Sequence, residues 1–83
     1  MDKLNIGSRL KEIRNDRDLS LEMVAKDVNR IYGTKISKGK LSKWEHDVNT
    51  PSLNDLSALV RYYNISLDYI IGTTDKKTPP HLW

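Results

Sequence analysis

The side chains with the clearest chemical potential are lysines in the middle of the chain. Between Lys35 and Lys43 the sequence carries four lysines and no acidic residue. A local cationic patch on a chain whose net charge is only +3 favours the docking of a polyanion on one face. A solvated lysine-rich turn explains the same charges, so charge alone leaves both interpretations open.

The residue types needed for catalysis or metal binding do not occur at usable spacing. The chain has no cysteine, which excludes disulfides, thiolate metal sites and cysteine nucleophiles. His46 lies between two acidic residues, but neighbouring helix positions point in different directions, and no second histidine follows one turn later. No serine has a histidine and an acid at a catalytic spacing. The sequence therefore predicts no enzyme, no metal site and no cofactor.

The length and composition fit one small domain. The 83 residues, of which 37% are hydrophobic, allow a modest core but not two of them. No apolar run approaches the length of a membrane span, and the first residues do not resemble a secretory signal. We therefore expect a cytoplasmic protein with no membrane partner.

Hydrophobic periodicity predicts five short helices that position the lysines. The predicted helices cover roughly residues 5–17, 21–32, 38–46, 53–63 and 67–71. The last four are preceded by serines suited to N-caps, Ser20, Ser37, Ser52 and Ser66. Three are followed by residues that accept left-handed backbone, Gly33, Asn64 and Gly72. An all-α domain over residues 1–72 follows, with residues 73–83 as a flexible tail or the beginning of a linker.

The third predicted helix has a narrow apolar edge. Only Leu41 and Trp44 are apolar, so the helix is anchored along one line and most of its surface faces outward. We expect Trp44 to pack in the core rather than to stack on bases. Lysines at the N-terminal end of such a helix can contact guanine acceptors or phosphates when that end enters a major groove. Joined to the second helix by a turn, it forms a helix-turn-helix.

Several short motifs carry a family resemblance. They are the stretch from Leu19 to Ala25, then Ile36-Ser37-Lys38, Leu41-Ser42-Lys43-Trp44-Glu45 and Pro51-Ser52-Leu53. Together with residues 64–72 they resemble the Cro/cI-type (lambda-repressor-like, XRE) helix-turn-helix family. The resemblance covers nearly the whole chain. It implies a five-helix DNA-binding domain in which helices 2 and 3 form the helix-turn-helix.

The resemblance also implies a set of functional residues. Base-contacting positions are implied at Lys38, Gly39, Lys40 and Lys43. Phosphate contacts are implied at Ser20, Leu21, Asn49, Thr50 and Ser52, and the free N–H groups at the start of the third helix add Ser37. Arg14 and Glu45 match a pair that ties the first helix to the third and neutralises Glu45 near DNA. Such a pair stabilises by about 1 kcal/mol or less if it is exposed.

The sequence departs from the family pattern at three places. Residues 29–35 replace the usual tight turn with a longer second helix and a basic loop, whose Lys35 is predicted to contact a phosphate. Gly39 stands where a hydrogen-bonding side chain is common, so either base contact is absent there or the backbone approaches DNA closely. Leu21 replaces a phosphate-binding glutamine, which leaves that contact to backbone N–H groups or Ser20. Repressors of Gram-positive phages and prophages often have a similar insert.

These patterns predict a regulator of transcription that recognises specific double-stranded DNA. We expect a phage or prophage repressor, or its N-terminal domain, that binds a palindromic operator as a homodimer. The alternatives are an activator, an antitoxin that represses its own operon, a restriction-system controller, and a protein-binding helical module. A C-terminal oligomerisation domain or an antirepressor protein is a further possible partner. Leu82 and Trp83 are either the beginning of a second domain or an apolar surface for a toxin.

Overall fold

The structure, a computed structural model, describes residues 6–72. It contains α1 (Ile6–Asp16), α2 (Leu21–Tyr32), α3 (Lys38–Glu45), α4 (Leu53–Tyr63) and α5 (Leu67–Ile71). No strand occurs within residues 6–72, and the predicted all-α, five-helix fold is confirmed. The predicted tail, residues 73–83 with Leu82 and Trp83, lies outside the described residues, as does the first residue of the first predicted helix, Asn5.

Serine N-caps begin the last four helices. In each case the serine has extended backbone and its hydroxyl oxygen accepts a hydrogen bond from the backbone N–H three residues later, at Met23, Lys40, Asp55 and Tyr69. Left-handed residues end three of them, with φ of 69° at Gly33, 56° at Asn64 and 88° at Gly72. These caps satisfy backbone groups that a helix end leaves without partners, so they fix where the last four helices begin and where three of them end.

One apolar face of each helix forms a common core. Its helical members are Ile6, Leu10, Ile13, Val24, Ala25, Val28, Leu41, Trp44, Leu56, Ala58, Leu59, Val60, Tyr63, Tyr69 and Ile70. Trp44 therefore packs in the core, as expected. Ile36 and Ile65, which lie between helices, are buried as well. Each such aliphatic side chain stabilises the fold by about 1.5–3 kcal/mol when it is fully removed from water.

The beginning of α1 lies against the end of α3. The Gly7 backbone N–H donates to Asp47 Oδ1 at 3.2 Å. A Cβ atom on Gly7 would lie closer to the Trp44 carbonyl oxygen than two such atoms can pack. Glycine at position 7 thus permits the close approach of α1 and α3. Within residues 6–72, no helix is both long and apolar enough to cross a membrane.

Candidate nucleic-acid interface

The first turn of α3 forms a basic surface. The residues predicted to contact bases are all exposed: Lys38, Gly39, Lys40 and Lys43. On the other side, Leu41, Trp44 and Glu45 are buried, with exposed fractions of 2%, 5% and 5%. The second and third of these positions follow the first by three and four residues, so all three lie on one face of the helix. The core therefore holds α3 along a single edge. Its N-terminal turn is left free to present side chains to a ligand.

The N-terminus of α3 favours an anion by its backbone as well as by its lysines. Ser37 has φ −92° and ψ 159°, and its Oγ accepts a hydrogen bond from the Lys40 N–H at 3.1 Å. The hydroxyl keeps its own O–H for donation to a phosphate. No acidic residue lies in the first turn. The positive end of the helix dipole is therefore reinforced rather than neutralised.

Most of the residues predicted to contact phosphates are accessible. Those exposed are Ser20, Lys35, Ser37, Asn49, Thr50 and Ser52. Ser20 and Ser52 cap α2 and α4 as Ser37 caps α3, so each combines a hydroxyl with first-turn N–H groups. Unlike α3, these two helices carry an acidic residue in the first turn, Glu22 and Asp55. The Leu21 side chain instead packs against the core. A phosphate contact at Leu21 must therefore come from its backbone N–H.

Arg14 connects α1 to the buried side of α3. Its Nε and Nη2 donate to the Glu45 carboxylate at 2.7 and 2.9 Å, and Nη1 donates to the Leu19 carbonyl oxygen at 2.7 Å. The hydrogen bond to Glu45 raises the pKa of Arg14 above its usual value. Only 13% of the Arg14 side chain and 3% of the Glu45 side chain are exposed. The stabilisation of about 1 kcal/mol or less that is expected for an exposed ion pair therefore does not apply to this buried one.

The loop between α2 and α3 is organised by Asn29, a residue whose role was not predicted. Its side chain hydrogen bonds to both the backbone N–H and the carbonyl oxygen of Ile36, each at 2.8 Å. It also accepts from the Thr34 hydroxyl at 2.7 Å. The sequence gives no signal of this role, because the bonding partners of Asn29 lie five and seven residues away and follow no helical period.

Tyr62 on α4 ties that helix to α2. Its hydroxyl donates to Asp27 Oδ2 at 2.7 Å. Burial, followed by this hydrogen bond, raises the pKa of Tyr62 to about 12. The contact braces α2 from the side of α4. Among residues 6–72 no group of histidine and acidic side chains is arranged to hold a metal ion.

An exposed basic helix, held from behind and preceded by a second helix, defines a helix-turn-helix domain. Comparison with known proteins agrees, because residues 10–70 match the helix-turn-helix family. The chain belongs to this family, as the XRE-type motifs predicted, and its members bind double-stranded DNA as transcriptional regulators.

Two similar proteins of Bacillus subtilis are regulators by name. The chain is 32% identical over 71 residues to the uncharacterized HTH-type transcriptional regulator YobD, an alignment that covers 86% of this chain and 58% of YobD. It is 32% identical over 69 residues to the HTH-type transcriptional regulator ImmR, covering 83% of this chain and 50% of ImmR. The chain thus spans about half the length of these relatives. No solved structure matches it significantly.

Proposed function

We propose that this chain is the operator-binding domain of a transcriptional repressor of the phage or prophage type. The observation that carries the proposal is the exposed first turn of α3, with Lys38, Gly39 and Lys40 facing solvent while the opposite edge of the helix is buried. This turn enters the major groove, where lysine side chains donate to the O6 and N7 acceptors of guanine. Lys43, one turn further along, contacts the same groove.

Phosphate contacts fix the position of the domain on the duplex. The N-termini of α2, α3 and α4 supply Ser20, Ser37 and Ser52 together with first-turn N–H groups. Lys35 in the α2–α3 loop, and Asn49 and Thr50 in the α3–α4 loop, add further contacts. These groups contribute affinity for any sequence, whereas the side chains on α3 contribute the choice of sequence.

The distribution of apolar surface favours DNA over protein as the partner of α3. The large exposed hydrophobic residues of the described chain are Met23, Ile31, Tyr32, Val48 and Leu53. None of them lies on α3. A helix that docks on a protein normally presents apolar or aromatic area at the centre of its interface, so the lysine-bearing face of α3 fits a nucleic acid better.

Binding as a dimer would let this small domain recognise two half-sites instead of one, which increases its sequence specificity. Two copies related by a two-fold axis would place one α3 in each of two half-sites, with centres about 34 Å apart along the duplex. The operator is then a palindrome, since the symmetry of the protein is repeated in the DNA. An antitoxin or a restriction-system controller would use the same DNA contacts and differ in its further partners.

Selection of binding sites from a random duplex library at near-physiological salt tests the proposal. We expect enrichment of a palindrome whose half-sites lie one helical turn apart. The Lys38→Ala/Lys40→Ala double variant, verified as folded by circular dichroism, is the control and should enrich no such sequence. A single enriched half-site would contradict dimeric binding but keep base recognition. No enrichment with the wild-type protein would refute the proposal and favour a protein partner.

A further inference from the structure

We propose that Asn29 is a positioning residue, whose side-chain amide orients the first turn of α3 and so determines base specificity. This role rests on the function proposed above. Asn29 lies in the last turn of α2, outside the exposed basic surface, and is only partly exposed. It acts on DNA binding through the loop that connects α2 to α3.

Four hydrogen bonds from this loop converge on Asn29. Its Oδ1 accepts from the Ile36 N–H at 2.8 Å and from the Thr34 hydroxyl at 2.7 Å. Its Nδ2 donates to the Ile36 carbonyl oxygen at 2.8 Å. Its backbone carbonyl oxygen accepts from the Gly33 N–H at 3.0 Å. The side-chain amide thus accepts two hydrogen bonds and donates one. This combination requires a side chain with both an acceptor oxygen and an N–H donor.

Ile36 is fixed from two directions as a result. Its side chain is buried in the core, with 2% of its surface exposed. Its backbone N–H and C=O are both paired with the one amide of Asn29, as they would be with a neighbouring strand. Because Ile36 directly precedes Ser37, the peptide group that leads into the N-cap of α3 has little freedom.

The position of this N-cap decides where the first lysines of α3 lie. The helix has only eight residues, too few to be stable without outside contacts. Its C-terminal half is held by the burial of Trp44 and by the Arg14–Glu45 pair. Its N-terminal half depends on Ser37, and Ser37 depends on the segment that Asn29 holds. A change at Asn29 should therefore move Lys38 and Lys40 while the rest of the domain stays folded.

The test compares Asn29→Ala and Asn29→Asp with Val60→Ala, a buried core variant in α4 that lowers stability but removes none of the hydrogen-bonding groups of the loop. The aspartate keeps the size and both acceptor contacts but cannot donate to the Ile36 carbonyl oxygen. Each protein is studied at a temperature at which circular dichroism shows it folded. Two quantities are measured: the ratio of the affinities for the selected operator and for random duplex, and the hydrogen-exchange rates of the Lys40 and Leu41 amides.

Both Asn29 variants should lose about tenfold in the affinity ratio, and exchange at the two amides should rise by a similar factor. The Val60→Ala variant should leave the affinity ratio unchanged, and any faster exchange caused by its lower stability should be shared by the amides of the other helices rather than confined to Lys40 and Leu41. The negative charge of the aspartate weakens binding to operator and random DNA alike, so the ratio is insensitive to it. If Asn29→Ala does not fold, Asn29→Asp alone tests the positioning role of Asn29. An unchanged ratio in a folded Asn29 variant overturns the proposal, whatever the exchange rates.

Failure of the role proposed for Asn29 can be distinguished from failure of the proposed function. If the wild-type protein prefers no duplex over another, the proposed function fails, and the exchange rates alone decide the role of Asn29. Faster exchange that is confined to Lys40 and Leu41 in the Asn29 variants, and is not so confined in Val60→Ala, then supports positioning of α3. Unchanged exchange overturns it.

Discussion

The guanidinium of Arg14 and the carboxylate of Glu45 form two parallel hydrogen bonds between α1 and α3, at 2.7 and 2.9 Å. This bidentate geometry is the strongest form of such a pair. The Glu45 side chain is almost fully buried, so Arg14 provides the compensation for a carboxylate that water does not reach. The pair fixes the C-terminal half of α3 and leaves exposed its N-terminal half, where we propose the contacts with DNA.

Loss of Arg14 should be strongly destabilising. We expect Arg14→Ala to lower the free energy of unfolding by about 3–5 kcal/mol, because it leaves the Glu45 carboxylate buried without a partner. Arg14→Ala/Glu45→Ala should cost less than the sum of the single changes, measured by urea denaturation in a double-mutant cycle. The control is Arg30→Ala, which breaks an exposed pair with Asp27 and should cost about 1 kcal/mol or less. Additive single changes would contradict this interpretation.

Two glycines should respond to alanine in opposite directions. Gly7→Ala places a methyl group against the Trp44 carbonyl oxygen and should destabilise the fold by about 1–3 kcal/mol. Gly39→Ala meets its nearest neighbour, Ser37 Oγ, at 3.9 Å and should stabilise α3 by about 0.5–1 kcal/mol. Thermal denaturation measures both changes. If Gly7→Ala melted at the same temperature as the wild-type protein, the close approach of α1 and α3 at Gly7 would be contradicted. Weaker operator binding by Gly39→Ala would show that the backbone there approaches DNA closely.

The raised pKa of Tyr62 predicts a loss of stability at alkaline pH. Burial and the hydrogen bond to Asp27 raise the pKa from 10.0 to about 12, so the folded state retains a proton that the unfolded state releases. The contribution of Tyr62 is complete below a pH of about 10 and is lost as the pH rises through about 12. Burial raises the pKa of Tyr63 as well, so part of the pH dependence belongs to that residue.

Urea denaturation over this pH range should therefore show a shallower fall in stability for Tyr62→Phe than for the wild-type protein. Asp27→Asn, which removes the partner carboxylate, should lower the pKa of Tyr62, as followed by the ultraviolet absorbance of tyrosinate. If stability fell with pH in parallel for the wild-type protein and Tyr62→Phe, Tyr62 would have the same pKa in the folded and unfolded states.

Lys35 should contribute affinity without selectivity. It is exposed in the loop before α3, where we propose a phosphate contact. Lys35→Ala should weaken binding to operator and to random duplex by the same factor, and should reduce the slope of log affinity against log salt by about 1. Lys11→Ala, which removes an exposed lysine from α1, is the charge-matched control. Equal slopes for the two variants would place Lys35 away from the DNA.

The helices could be predicted because their ends are encoded locally. A serine hydroxyl that accepts from the N–H three residues later, as at Ser37, involves four consecutive residues, and a left-handed residue such as Gly33 ends a helix without other help. The apolar stripe of α2 likewise follows from spacing alone. The ends of α2 to α5 were therefore predicted to within about one residue, which is no more than the difference between methods of assigning helix ends.

The contacts between helices could not be predicted in the same way. Burial of Ile36 and Ile65 follows no period, since both lie in loops whose path is set by neighbouring helices. The close approach at Gly7 depends on where α3 crosses α1. The role of Asn29 depends on the loop folding back onto α2. The pairing of Arg14 with Glu45 was anticipated only through family resemblance.

Whether α3 selects base pairs is decided by equilibrium binding of the wild-type protein and Lys40→Ala to the selected operator and to duplexes in which each half-site base pair is changed in turn. The wild-type protein should lose about 1–3 kcal/mol of binding free energy at each contacted base pair. Lys40→Ala should lose this discrimination at one position of each half-site and keep it at the others. If Lys40→Ala instead weakens binding to every duplex equally, Lys40 contacts only phosphate, and the orientation proposed for α3 is wrong.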